Sequence, residues 1–569
     1  MFNYIKENRL ELFFICVITF IAFAIRVIAI QNFGDLWVDE LYSFYFANKD
    51  NPLEIAKTLF KEDFHVPLYF ILLHYWMKLF GQNDFVIRLL GCIITTLSLP
   101  AVFYLCKNLF NKQCAYLSAL FIAINSFNIH YSCELRFYGS TIFLAVLSAY
   151  FFVKTFDKFE KKYIVSYIFS TLLLLYTYNF AFMYVFCQFI VGLCYVLKNK
   201  NSIYSLAKIY IVIFVFYLPV IFYILHSFFM YRTALLSFFR DIFSFDLMFF
   251  YNFLLTCYSN VFDQWMNNNI MQNDKIIKIF LSPFVLFFMT MPIILGLAGL
   301  IRAFREKNKN FILFFTPAFI LFVVQILFVF AKILALNLRY TVIPVTIFTV
   351  AAVYGWSLFK NKKLSYSIFS VWILLNLCTL FFVNNSAINR NIAYSGNLEQ
   401  VLISELKSDD LIFIPRFSKL YGKYIKRGNV IDFDTYDAFL LGTRNEDIEF
   451  IFGKDLSQKL NRKMLKTYLY SYITTDAPSL KLEENLKNEY FSKMKKGQRF
   501  VIITDETSYI NDLEKIQDFI KPIDVYSRSS VYYPLSAKIT YDIIGCAFKN
   551  FKTHKNINVN SFFSVLIFE

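Results

Sequence analysis

What most limits the folds open to this chain is a succession of apolar stretches, each close to the roughly 20 residues that an α-helix needs to cross a hydrocarbon core. Windows of about 19 residues pick out stretches near 12–30, 84–106, 114–131, 138–154, 163–180, 181–197, 208–226, 276–301, 311–330, 341–359 and 365–383. The bilayer is therefore the main solvent, and about eleven crossings are expected. Composition points the same way, with 58% of the 569 residues hydrophobic and only 17% charged, and a mean hydropathy of +0.50.

A formal charge of +16 would suit nucleic acid if the cations shared one face. They do not. Lys6/Arg9, Lys107/Lys112, Lys154/Lys158/Lys161/Lys162, Lys198/Lys200, Arg302/Arg305/Lys307/Lys309 and Lys360/Lys362/Lys363 fall in alternate loops between the apolar stretches. That is the positive-inside pattern of a multi-pass protein with a cytoplasmic N-terminus, and it argues against a nucleic-acid partner. The stretch 12–30 is long for a signal-peptide core and has no small-residue cleavage site after it, so it reads as a retained first span. The ten cysteines are scattered without a CxxC pair; they read as small buried hydrophobes, neither a disulfide framework nor a zinc site.

Longer connections fall on the other side: 31–83, the segment around Glu134, 227–275, the approach to Arg339, and everything after 384. Within the first, 67–80 is apolar but short and carries His74 and Lys78, as an interfacial helix would. The segment 227–275, with Arg232, Arg240 and Asp241, is expected to lie along the surface. From about 385 the pattern becomes charged and periodic. Strands are expected at Asp410–Pro415, Asn429–Phe433 and Arg499–Thr504, and helices near 397–408, 417–426, 455–470 and 508–520. The expected domains are thus a membrane part, 1–384, and an extracytoplasmic α/β domain, 385–569.

Three groups of residues carry chemistry. Asp39 and Glu40, in Trp37-Val38-Asp39-Glu40-Leu41-Tyr42, follow the first span on the outer side. Adjacent carboxylates beside a membrane cost desolvation energy unless they bind something or exchange a proton, although two solvated acids in an interfacial loop are the plainer reading of the dipeptide alone. His130, Glu134, Arg136 and Tyr138 lie at the outer end of the third span, where snorkelling or mutual pairing is the plainer reading. Arg339, in Asn337-Leu338-Arg339-Tyr340 before Pro344, flanks an apolar stretch on the side where cations are disfavoured. Its guanidinium suits a bidentate phosphate contact, and alone it also reads as an interfacial anchor.

Taken in order, these motifs resemble the dolichyl-phosphate-mannose protein mannosyltransferase superfamily, glycosyltransferase family 39 in the broad sense, which shares the GT-C membrane fold with bacterial aminoarabinose transferases. Trp37-x-Asp39-Glu40-x-Tyr42, His65-Val66-Pro67, Arg88, Tyr131-Ser132-Cys133-Glu134-Leu135-Arg136-Phe137-Tyr138 and Arg339-Tyr340 carry the resemblance, over roughly 10–360. Two positions depart from the family pattern. Val66 stands where a proline is common, and Tyr178, in Tyr176-Thr177-Tyr178, stands where the family has histidine.

The resemblance implies a polytopic α-helical GT-C protein with an extracytoplasmic α/β domain, set in a bacterial inner membrane with its active site on the periplasmic face. It implies a hexosyl- or pentosyltransferase that moves a sugar, with inversion, from a polyprenyl-phosphate donor to a glycan, lipid or protein acceptor. Asp39 would be the general base, and Glu40 would orient the acceptor or support Asp39. Arg339 and Arg136 would hold the donor phosphate, with Glu134, His65, Tyr138 and Tyr340 contacting substrate. No cofactor is required. A divalent ion bridging Asp39 to the donor is compatible with the carboxylates, but two arginines can supply the charge. The alternative is a transporter or flippase of lipid-linked sugars. That reading calls for midplane charges and repeated halves, whereas the unusual charges here gather at span ends.

Overall fold

The computed structural model describes residues 9–241, 283–330, 338–357, 398–433, 445–452, 480–504 and 528–569, apart from a few positions within these ranges, and scattered positions between 363 and 374. Chain contacts divide the protein into two compact units. One comprises Met1–Phe33, Phe46–Ser227 and Ser244–Ile388; the other comprises Gly34–Tyr45, Phe228–Phe243 and Asn389–Glu569.

The first unit is helical. In chain order its described helices are α1 (Arg9–Gln31), then, beyond the segment that belongs to the other unit, α3 (Pro52–Glu62), α4 (Leu68–Phe80), α5 (Asp84–Leu109), α6 (Lys112–Ile124), α7 (Ser126–Cys133), α8 (Tyr138–Lys158), α9 (Lys161–Thr177), α10 (Ala181–Lys198), α11 (Ile203–Asp241, of which the part from Phe228 falls in the other unit), α12 (Pro283–Arg305), α13 (Lys309–Phe330) and α14 (Val342–Ser357). Asparagines punctuate the sequence of helices. The side chains of Asn51, Asn83 and Asn111 accept backbone N–H groups in the first turns of α3, α5 and α6, and Pro52 at the start of α3 carries no N–H to satisfy there.

Seven described helices are long and apolar enough to cross a membrane: Arg9–Gln31, Asp84–Leu109, Tyr138–Lys158, Ala181–Lys198, Ile203–His226, Lys309–Phe328 and Arg339–Ser357. The expected stretch 163–180 is α9, and 276–301 corresponds to α12 from Pro283 onward. The stretch 114–131 differs. Its helix stops at Ile124, because the Asn125 side chain accepts the Asn128 N–H and starts the separate helix α7. Another difference is that α11 continues past the apolar stretch to Asp241. The stretch 365–383 lies largely outside the described residues, as do Asn337, 242–275, and the expected helices 455–470 and 508–520.

Burial separates inner from outer helices. The apolar window of Arg339–Ser357 is 89% buried and that of Ile203–His226 only 22%, so the latter offers Phe214, Phe216 and Phe222 to lipid. Because hydrocarbon gives no hydrophobic gain between helices, polar contacts help join them. The buried Tyr167 hydroxyl donates to Gln188 Oε1 at 3.1 Å and meets the Tyr210 hydroxyl at 2.9 Å, while Ser148 and Thr171 share a bond of 3.0 Å. Helix ends bearing the basic clusters also meet. Glu11 pairs with Lys107 and with Lys112, and Lys309 Nζ lies 2.6 Å from Asp157.

The second unit contains α2 (Val38–Ala47, of which Phe46 and Ala47 fall in the first unit) and an α/β domain. The domain has helices α15 (Leu398–Glu405), α16 (Ser418–Tyr421), α17 (Asn445–Phe452), α18 (Leu480–Asn485) and α19 (Arg528–Asn550), and strands β1 (Leu411–Phe413), β2 (Asn429–Val430), β3 (Phe500–Thr504), β4 (His554–Asn558) and β5 (Ser564–Phe568). The sheet runs β2-β1-β3-β5-β4. Its β2-β1-β3 half is parallel and its β3-β5-β4 half antiparallel. Phe413, Phe433, Phe500, Ile502, Ile543, Ala547, Leu566 and Phe568 build the core. At its border Arg499 grips Asp410 with two bonds of 2.8 and 2.6 Å, which raises the guanidinium pKa further above its ordinary value.

Candidate functional site

In the membrane unit the site begins with two close backbone approaches. A Cβ on Gly91 of α5 would stand 2.7 Å from the Ser132 carbonyl, and one on Gly139 of α8 would stand 2.9 Å from the Gly91 carbonyl. Only glycine lets these segments touch, so the chain between α7 and α8 turns tightly against α5. The Arg136 N–H donates to the Glu134 carbonyl at 2.7 Å within that turn. Glu134, Arg136 and Tyr138 are thereby held almost fully inside, at 3%, 5% and 2% exposure.

Side-chain partners follow from this placement. His130 Nε2 lies 3.2 Å from Glu134 Oε1. The Arg136 guanidinium lies 5.2 Å from the Phe137 ring centroid, and its Nη2 donates to His65 Nε2 at 3.3 Å. A guanidinium has no acceptor, so His65 Nε2 must be the lone-pair nitrogen and Nδ1 must carry the proton. Nδ1 indeed faces a carboxylate, donating to Asp63 at 2.9 Å. Tyr223 of α11 fixes the same segment from behind, its hydroxyl donating to the His65 carbonyl at 2.7 Å.

The loop Tyr178-Asn179-Phe180, between α9 and α10, ties the motifs together. Asn179 Oδ1 accepts the Val66 N–H at 3.1 Å. The Tyr178 ring lies 5.4 Å from Phe137 and 6.5 Å from Tyr138, and Phe180 lies 4.9 Å from Tyr340. Arg339 stands within electrostatic reach of the Tyr178 phenol, and Gln325 anchors the Tyr340 carbonyl at 2.9 Å. The segments that carry His65, Glu134–Tyr138 and Arg339–Tyr340 thus each reach one loop, through Val66, through Phe137 and Tyr138, and through Tyr340. Asp63 and this loop were not singled out as site residues from sequence. The signals were an acid two residues before His65, a polar break between two apolar stretches, and Tyr178 at a position where the resembled family has histidine.

Asp39 and Glu40 belong to the second unit. Glu40 is fully buried and its Oε2 accepts the Trp37 N–H at 3.3 Å, closing the first turn of α2. This is the glutamate half of a capping box, three residues into the helix. Asp39, one position earlier, is half-buried, and its carbonyl accepts the Ser43 hydroxyl at 3.3 Å. Among the described residues no three His, Cys, Asp or Glu side chains gather as a metal ion would require. The described cysteines are free; Cys16 and Cys194 are exposed, and Cys92, Cys106, Cys114, Cys133, Cys187 and Cys546 are buried.

Residues 64–226 match the family described as dolichyl-phosphate-mannose-protein mannosyltransferase, a segment that holds His65, Glu134, Arg136 and Tyr138 but stops short of Asp39 and Arg339. ArnT from Cupriavidus metallidurans in the apo state is similar in structure, with a TM-score of 0.53 and 10% identity, over 99% of this chain and 98% of that one. The same protein bound to undecaprenyl phosphate gives 0.50 and 9%, over 98% of each chain. No curated protein sequence matches the chain. At such identities the likeness is one of fold: this is a multi-pass membrane protein with the GT-C fold of ArnT, similar over 64–226 to the dolichyl-phosphate-mannose-protein mannosyltransferase family.

Proposed function

We propose that the protein is a glycosyltransferase of the bacterial inner membrane that moves a hexose or pentose from a polyprenyl-phosphate donor to a glycan, lipid or protein acceptor at the periplasmic face. The observation that carries this reading is the gathering of the Glu134–Tyr138 and Arg339–Tyr340 motifs on the loop 178–180 of a GT-C fold. The buried Arg136 and the half-buried Arg339 suit a phosphate leaving group, since its charge grows as the glycosidic bond breaks and fixed cations act most strongly where water is scarce. The undecaprenyl phosphate carried by ArnT is a ligand of this chemical class.

In this reading Asp39 takes the proton from the acceptor as the acceptor's nucleophile bonds to the anomeric carbon from the face opposite the phosphate. The carbon–oxygen bond to phosphate breaks, and its electrons leave with the lipid phosphate. General-base assistance of this kind is worth roughly 10²–10⁴-fold in rate. Glu40 supports Asp39 by holding the helix turn that presents it. Arg339 and Arg136 receive the phosphate charge, and the Asp63–His65 pair orients Arg136. Glu134, Tyr138 and Tyr340 line the sugar side.

The test supplies purified protein with a polyprenyl-phosphate donor carrying a radiolabelled sugar and extracted envelope acceptors. Label should leave the lipid only with active protein. Label that stays on the lipid while crossing vesicle bilayers would identify a flippase instead.

A further inference from the structure

The segment Gly34–Tyr45 is distant in sequence from the α/β domain, yet the two form one compact unit. Contacts of Leu36, Asp35 and Phe44 with the domain lie on both sides of Asp39. Before it, the fully buried Leu36 gives its N–H to the Tyr424 hydroxyl at 2.6 Å, and Tyr424 is itself buried. Next to that bond, the Asp35 carboxylate accepts the Glu399 N–H at 3.4 Å in the first turn of α15. Beyond Asp39, the Lys423 ammonium stands 4.8 Å over the ring of Phe44. Gly34, with φ of 64°, makes the left-handed turn by which the chain enters this segment.

A carboxylate that must take a proton in a transition state has to be held to within about 0.5 Å of its working position. A ten-residue helix such as α2 cannot hold itself that firmly, because isolated helices shorter than about 12–15 residues are marginal in water. The capping bond from Trp37 to Glu40 closes its first turn but ties it to nothing else. The end of the helix is anchored within the membrane unit, where the Ala47 carbonyl accepts from His74 Nδ1 at 2.9 Å; the stretch on either side of Asp39 is anchored by residues 399, 423 and 424, all in the α/β domain. We infer that the α/β domain holds the start of the acidic helix, with Tyr424 as the positioning residue for Asp39. The catalytic consequence rests on the glycosyl-transfer reading; the docking itself does not.

The test uses the full-length protein in nanodiscs, as wild type, Tyr424→Phe and Asp35→Ala. Tyr424→Phe keeps the ring and removes only the oxygen that accepts the Leu36 N–H. Hydrogen–deuterium exchange of peptides covering 34–45 should quicken about 10-fold in Tyr424→Phe, the scale of one buried hydrogen bond, while the strands of the sheet keep their protection. Transfer by Tyr424→Phe should lose about 10-fold in kcat with the donor KM unchanged within about twofold, since misplacing a base costs rate and not donor affinity. Asp35→Ala should move both readouts in the same direction by a smaller factor. Unchanged exchange at 34–45 in both variants overturns the docking. Quickened exchange with an unchanged kcat overturns the positioning role. If wild type itself releases no sugar, the glycosyl-transfer reading falls, and the exchange arm alone decides whether the α/β domain holds the start of the helix.

Discussion

His65 and Arg136 share a hydrogen bond of 3.3 Å in which the guanidinium donates and the imidazole accepts, and Asp63 holds the opposite ring nitrogen at 2.9 Å. The carboxylate therefore sets the tautomer that the arginine needs. In Asp63→Asn the amide can present its NH2 to Nδ1 and reverse the tautomer, turning Nε2 into a donor aimed at a cation. Transfer should fall at least about 10-fold, the scale of a charge-assisted bond, and rates measured in Asp63→Asn and wild type across pH would reveal it. Equal rates at every pH would show that the dyad serves packing alone.

The two acids of α2 should separate in mutants. Asp39→Asn is expected to lower turnover by roughly 100-fold or more with normal membrane insertion. Glu40→Gln keeps an oxygen for the Trp37 N–H and should stay within a few-fold of wild type, whereas Glu40→Ala removes the cap and costs about 1 kcal/mol of local stability. Steady-state rates set beside proteolysis of the 34–47 region would check both halves. A Glu40→Gln variant as inactive as Asp39→Asn would give Glu40 a chemical role beyond the cap.

The two arginines are expected to act on donor affinity. Arg339→Ala and Arg136→Ala should each weaken binding of a polyprenyl-phosphate sugar by about 10- to 100-fold, corresponding to the loss of a hydrogen bond to a charged group. Lysine at either position should recover only part of it, because an ammonium lacks the planar fork. Equilibrium binding of labelled donor to detergent-solubilised variants measures this, and wild-type affinity in Arg339→Ala would remove that residue from the site.

Gly91→Ala tests the close approach on which the Glu134–Arg136 turn depends. The new methyl would meet the Ser132 carbonyl at 2.7 Å, and overpacking of that kind costs roughly 1–3 kcal/mol. Thermal unfolding in detergent should begin several degrees lower. An unchanged transition would mean that α5 and the turn move apart without penalty.

Much of this was legible in the sequence, for reasons that differ from one element to the next. Hydropathy and basic clusters marked most of the membrane helices, because chain in hydrocarbon has few ways to satisfy its backbone. Asn125 escaped notice because its effect lies in the bond to the Asn128 N–H, which a hydropathy window averages away. Strands β1 and β3 were marked by apolar runs in a charged context, but β4, with Lys555, Asn556 and Asn558, is polar enough to pass for a loop. In the candidate site, His65, Glu134, Arg136 and Arg339 stood out as charged or titratable groups next to apolar stretches. Asp63 did not, since an aspartate near a histidine in a loop is common and only geometry turns it into a brace. The Tyr178–Phe180 loop was visible as a polar break, while its contacts with three distant motifs depend on packing between helices that no local pattern encodes.

The bond from Leu36 to Tyr424 joins partners 388 positions apart. At roughly 5–20 residues per second of synthesis, a ribosome takes about 20–80 s to add that much chain. Throughout that interval the acidic helix has been made but the side chain that fastens it has not. Its docking therefore belongs to the last stage of biogenesis, after most of the membrane helices have been threaded into the bilayer, so a ribosome stalled late leaves an inserted but unfastened protein.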